Sequence, residues 1–155
     1  MTDAPLMYLN TNVFIDFIQG DPEISAPVQV LFESLREKPF SAITSELTLA
    51  EALAPSSKGR KLRPDLKRQY LDLIVWGRFI GLEPISRRVL YESVALRATR
   101  ATGKLKLPDA IHLATAILGG CRLFISRDRD IPMFTGMRRV EVDPTSVAEL
   151  VEVLR

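Results

Sequence analysis

Five short apolar runs recur along the chain: LMYL (6–9), FSAI (40–43), IGLEPI (80–85), RLFIS (122–126) and RRVEV (138–142). One or two helix-length segments separate each of the first four. Antiparallel neighbours can be joined by a tight hairpin, whereas parallel strands need a crossover of a dozen residues or more. Strands alternating with helices therefore predict an α/β fold, a central parallel β-sheet of about five strands flanked by α-helices on both faces.

The intervening segments are punctuated as helices. VFIDFIQG (13–20) stops at Gly20, and a second helix is expected from Ile24 to Arg36 with Pro27 in its first turn. Thr44 or Ser45 is positioned to cap a helix ending near Pro55, and SSKGRKLRP (56–64) reads as a basic loop. Helices are then expected over Leu66–Phe79 and from Ser86 to about Thr102. KLKLPDAIHLATAILGG carries Pro108 near its helix start and Gly119-Gly120 at its end, and SVAELVEVL (146–154) closes the chain. With 155 residues, a single domain over 1–155 with a substantial core is expected.

Several function classes recede on composition and motif. Cys121 is the only cysteine, so no disulfide forms within the chain and a reducing cytoplasm is the expected compartment. There is no apolar run of membrane-spanning length and no export signal at the N-terminus, so no membrane partner is expected. Neither a dinucleotide-binding nor a P-loop glycine pattern occurs. His112 is the only histidine, which disfavours a serine triad and a classical zinc site. The net charge of +2 does not by itself indicate nucleic acid.

In open α/β sheets ligands bind beyond the carboxyl ends of the strands. Asn10 follows the first strand and Asp128 follows RLFIS, so both fall at that edge. Asp109 opens its helix, where the dipole favours negative charge. On a helical wheel Glu51 lies within an apolar stripe of Leu47, Ala50 and Ala54, while Glu46 lies outside it. A carboxylate turned into packing is costly unless it is paired or meets a metal. Each residue also has an ordinary reading: Asn10 as a helix cap, Glu51 reaching out to solvent, Asp109 as a helix-start acid, Asp128 paired with Arg127 or Arg129.

Taken together, MYLNTNVFID, ELTLAEAL, LPDAIHLATA and FISRDRDI resemble the four ordered motifs of PIN-domain nucleases, and the chain's size resembles the VapC toxins of type II toxin–antitoxin systems. The resemblance spans almost the whole chain. It implies a PIN-like fold and makes Asn10, Glu51, Asp109 and Asp128 the catalytic, metal-binding quartet. Thr11, Asn12, Ser126 and Asp130 would support it. The departure is Asn10, where the family has Asp: an acid replaced to silence a toxic enzyme, or a natural variant.

The implied reaction is endonucleolytic hydrolysis of RNA by metal-activated water, leaving a 5′-phosphate and a 3′-hydroxyl. An all-oxygen donor set suits Mg²⁺ or Mn²⁺. With Asn at position 10, reduced activity and retained RNA binding are expected. Arg60, Lys61, Arg63, Arg127 and Arg129 are the candidate RNA contacts, with Arg97, Arg100, Lys104 and Lys106 as further basic positions; a solvated face is the alternative. Tyr8, Trp76 and Phe79 read as core rather than base-stacking residues, and His112 as an interior residue that could orient Asp109. By the same resemblance the partners are a VapB-like antitoxin and a second copy of the chain. The rival readings are a PIN-like RNA-binding module without catalysis and a phosphotransferase with an aspartyl nucleophile. The latter lacks an acid in N-T-N.

Overall fold

Strand β1 (Met7–Leu9) is buried along its whole length and lies at the centre of the sheet. On one side it pairs with β2 (Ala42–Ser45), which pairs with β3 (Gly81–Glu83); on the other with β4 (Leu123–Ile125), which pairs with β5 (Arg138–Val140). All four pairings are parallel, as the alternation of strand and helix predicts, and the order is β3-β2-β1-β4-β5. The computed structural model describes residues 5–56, 58–99, 104–134 and 136–155. Arg100, and the expected helix end near Thr102, lie outside them.

The period of two along each strand divides the core. Met7, Leu9, Ala42, Leu123, Ile125 and Val140 join one apolar cluster. Its outer layer comes from α1 (Thr11–Gln19), α2 (Pro22–Glu37), α4 (Pro64–Leu71) and α7 (Pro144–Leu154), through residues such as Phe14, Phe32, Tyr70 and Leu150. Tyr8, Ile43 and Phe124 face the other way and pack on α5 (Arg87–Ala98) and α6 (Leu107–Leu118). Both faces of the sheet are therefore covered, which is why its strands read as continuous apolar runs. Each such side chain, fully buried, contributes about 1.5–3 kcal/mol relative to leaving it in water.

Four expectations are corrected. Helix α2 starts earlier than predicted, with Pro22 in the first turn, so Pro27 lies inside the helix. Strand β2 begins two residues later than FSAI, because Phe40 adopts a left-handed φ of 66° and interrupts extended chain. The helix expected over Leu66–Phe79 is α4 followed by a π-helical turn, Asp72–Trp76. At the end of that turn Trp76 is 60% exposed rather than core, whereas Tyr8 and Phe79 are buried as predicted. Among the described residues no helix is long and apolar enough to cross a membrane.

Candidate active site

The carboxyl ends of β1, β2 and β4 open onto one edge of the sheet, and the residues singled out there arrive from several elements. Asn10 is buried and caps α1: its Oδ1 accepts from the Thr11 backbone N–H at 3.0 Å. Its ordinary reading as a cap therefore holds. Its Nδ2 donates to Ser126 Oγ across the β1–β4 junction, also at 3.0 Å.

Ser126 is a crowded acceptor. Besides Asn10, Asn12 Nδ2 donates to its Oγ at 2.9 Å and the Asp128 backbone N–H at 3.0 Å. A hydroxyl offers two lone pairs and one hydrogen, so three donors converge on an oxygen that best accepts two. Turning the Asn10 amide over would set its NH₂ against the Thr11 N–H. Turning over that of Asn12 would set its NH₂ against the Arg127 N–H, which Oδ1 now accepts at 3.4 Å. A carboxylate at position 10 satisfies every neighbour: it accepts from Thr11 and takes the Ser126 hydrogen.

Glu51 comes from α3 (Leu47–Ala52), a short helix directly after β2. The predicted stripe is corrected here, since Ala50 and Ala54 are exposed and the helix buries Thr48 and Ala52. Glu51 is itself partly exposed, with a side-chain accessibility of 36%, yet its Oε1 is held twice. Thr11 Oγ1 donates to it at 2.8 Å and His112 Nε2 lies 2.5 Å away. Burial alone would raise the Glu51 carboxyl; the hydrogen bond and charge of His112, with Thr11, more than offset that and hold it below its ordinary 4.5.

Asp109 stands in the first turn of α6. Burial, then the charge of Asp128, and to a lesser degree Glu51, push its carboxyl above the ordinary 3.8, against the opposing influence of His112 and Lys106. The charges of acids from α3 and from the loop after β4 thus both act on Asp109 at the start of α6. Arg127 and Arg129, which flank Asp128 in sequence, do not neutralise it. Arg127 pairs with Asp16 at 3.0 Å and Arg129 with Glu141 at 2.7 Å. Asp128 instead closes a turn, its Oδ1 accepting from the Asp130 N–H at 3.0 Å, and the Asp130 side chain is exposed.

Among the described residues, no three His, Cys, Asp or Glu groups stand close enough to hold one ion as they are placed. Of the predicted RNA contacts, Arg63, Arg127 and Arg129 are tied to carboxylates, while Arg60 and Lys61 are exposed and have no ion pair among the described residues. Sequence reasoning understates two residues. His112 is 1% exposed, an interior histidine as expected, but it meets Glu51 rather than orienting Asp109. Thr11, expected only to support the quartet, binds Glu51 directly. No pattern in the chain pairs residues 11, 51 and 112; only the crossing of α1, α3 and α6 does.

These acids lie at the carboxyl edge of a parallel sheet, the edge at which open α/β folds bind ligands. Residues 7–136 match the PIN domain family model, and the chain belongs to that family. Among solved structures it is similar to a toxin–antitoxin complex from Klebsiella pneumoniae, at 28% identity and a TM-score of 0.58 over 85% of this chain and 95% of that one. VapBC2 from Rickettsia felis, bound to a promoter DNA fragment, shares 16% identity with a TM-score of 0.67 over 89% and 99%. Mycobacterium tuberculosis VapC20, a toxin that cleaves the sarcin-ricin loop, shares 13% with a TM-score of 0.63 over 81% and 92%. No curated protein matches the chain.

Proposed function

We propose that the protein is a single-domain, cytoplasmic endoribonuclease of the VapC toxin type, attenuated by Asn10. The observation that carries this reading is the placement of Glu51, Asp109 and Asp128 about one sheet edge, where the charges of Asp128 and Glu51 both act on Asp109 and neither arginine beside Asp128 is paired to it. Burial and like charge both oppose ionisation of Asp109, and a bound cation would relieve that opposition. The donors are all oxygen, which fits Mg²⁺ or Mn²⁺ and not a soft metal. Glu51, Asp109 and Asp128 would hold it, with position 10 completing the set when it is Asp.

Such an ion, when bound, supplies Lewis acidity and neutralises charge developing on phosphate oxygens during hydrolysis. The chain's own residues do the remaining work. Thr11 and His112 fix Glu51 by one oxygen, and the turn from Ser126 to Asp130 fixes Asp128. The first turn of α6 presents Asp109 with its dipole favouring negative charge. Arg60 and Lys61 offer exposed positive charge to an RNA backbone. The toxin–antitoxin complexes among the similar folds support a VapB-like antitoxin as partner; a second copy of the chain is proposed beside it from the resemblance alone.

The hydrogen-bond count at Ser126 supports an acid as the residue best suited to position 10. Asn10→Asp is expected to keep the cap of α1 and to raise Mn²⁺ affinity and RNA cleavage from weak or absent to readily detectable. Titration calorimetry and a panel of structured and single-stranded RNAs measure both. The rival, a binding module without catalysis, is favoured by the satisfied cap at Asn10. It predicts RNA binding with little heat from Mn²⁺ before and after the substitution.

A further inference from the structure

We propose that His112 is a positioning residue which, backed by Tyr8, forms a buried strut that fixes one oxygen of Glu51 and leaves the other for the ligand. This rests on Glu51 serving as a ligand to the cation.

Each link comes from a different element. The Ser45 backbone N–H, at the end of β2, donates to Tyr8 Oη at 3.2 Å. Tyr8 Oη lies 2.5 Å from His112 Nδ1, and His112 Nε2 lies 2.5 Å from Glu51 Oε1. Tyr8 and His112 are 0% and 1% exposed, and their rings meet edge to face with centroids 5.8 Å apart. An ionised carboxylate only accepts hydrogen bonds, so Nε2 carries a hydrogen whatever charge the ring holds. The contact therefore has a fixed direction, from the core outward to the sheet edge.

The rest of α6 shows that packing alone does not require a histidine. Its neighbours along the helix, Ala110, Ile111, Leu113 and Ala114, are buried and apolar. A buried imidazole instead needs partners for two nitrogens, and here those partners join a core phenol to a partly exposed acid. Both protein hydrogen bonds to Glu51 fall on Oε1; among the described residues none reaches Oε2. A long, otherwise mobile side chain on a six-residue helix is thereby held before any ligand arrives.

His112 is the only histidine, so its ring is readable by itself. In protein labelled with ¹⁵N-histidine, two-bond ¹H–¹⁵N spectra are expected to show a protonated Nε2, and Glu51→Ala is expected to shift that nitrogen. In the Asn10→Asp background, His112→Leu is expected to weaken Mn²⁺ binding by about 10- to 100-fold, as loss of an outer-shell partner does. His112→Gln, whose amide returns a donor near Nε2, is expected to recover most of that loss, which simple repair of packing would not do. Tyr8→Phe is expected to perturb the ring's tautomer and to weaken binding less than His112→Leu.

A ring protonated only at Nδ1 overturns the strut, as does equal Mn²⁺ affinity in the parent, Leu and Gln proteins. Should His112→Leu lose its fold, Tyr8→Phe and the Glu51→Ala shift decide the matter in its place. If Asn10→Asp with an intact His112 binds no Mn²⁺, the cation reading fails alone. The imidazole spectrum then decides the strut: a shift in Glu51→Ala supports it, and an unmoved ring overturns it.

Discussion

At Asp109 a helix start that favours negative charge meets two carboxylates and a partly dry setting that oppose it. Its carboxyl is raised above 3.8, so between that value and the folded one the native protein holds a proton that the unfolded chain has lost. Stability conferred by that proton is present at low pH and is lost as pH rises through the folded value. Glu51 behaves oppositely: its lowered carboxyl contributes stability above 4.5 that is lost as pH falls through its folded value. Asp109→Asn is therefore expected to flatten the loss of stability as pH rises above 3.8 and to stabilise the metal-free protein at neutral pH. At this half-exposed position, screening limits the gain to about 0.5 kcal/mol, or roughly 1–2 °C in Tm. Calorimetric melts between pH 4 and 8, with and without Mn²⁺, measure it. The same substitution is expected to abolish stabilisation by Mn²⁺.

Among the elements, α1 carries the densest set of constraints, since its start holds Asn10, Thr11 and Asn12 and its end turns the chain at Gly20. Gly20 has an ordinary φ of −75°, so no left-handed backbone demands glycine. The demand is steric: a Cβ there would lie 2.3 Å from the Asp16 carbonyl oxygen. Gly20→Ala is expected to cost about 1–3 kcal/mol through forced backbone movement, read from the urea midpoint. The helix that ends there also reaches the rim of the site, where its Asp16 pairs with Arg127. Among the helices, α6 is legible almost residue for residue, with Pro108 near one end and glycine at the other. Helix α3 is not. A helical wheel draws its apolar stripe through Ala50 and Ala54, small residues that are equally at home in water, while Thr48 and Ala52 take the buried positions.

Across the whole molecule, positive charge is less available than its sequence positions imply, since Arg63, Arg127 and Arg129 each have an acidic partner. Arg60 and Lys61 stand exposed in the loop before α4. Replacing both with alanine is expected to weaken single-stranded RNA binding without altering RNA preference. The slope of log affinity against log salt is expected to become shallower by about 1.4, the contribution of two phosphate contacts. Fluorescence anisotropy over a salt series measures this, and an unchanged slope would assign RNA binding to another surface.

The order of strands and helices, the parallel sheet and the positions of Asn10, Asp109 and Asp128 at its edge follow from periodicity and punctuation, which are local properties of the chain. What holds those residues is not local. Thr11, Glu51 and His112 are far apart in sequence, and their hydrogen bonds exist only because α1, α3 and α6 meet above β1 and β2. Whether an arginine neutralises a neighbouring acid or reaches across to another is likewise settled by where packing leaves the two charges, and at Asp128 it leaves the acid without either.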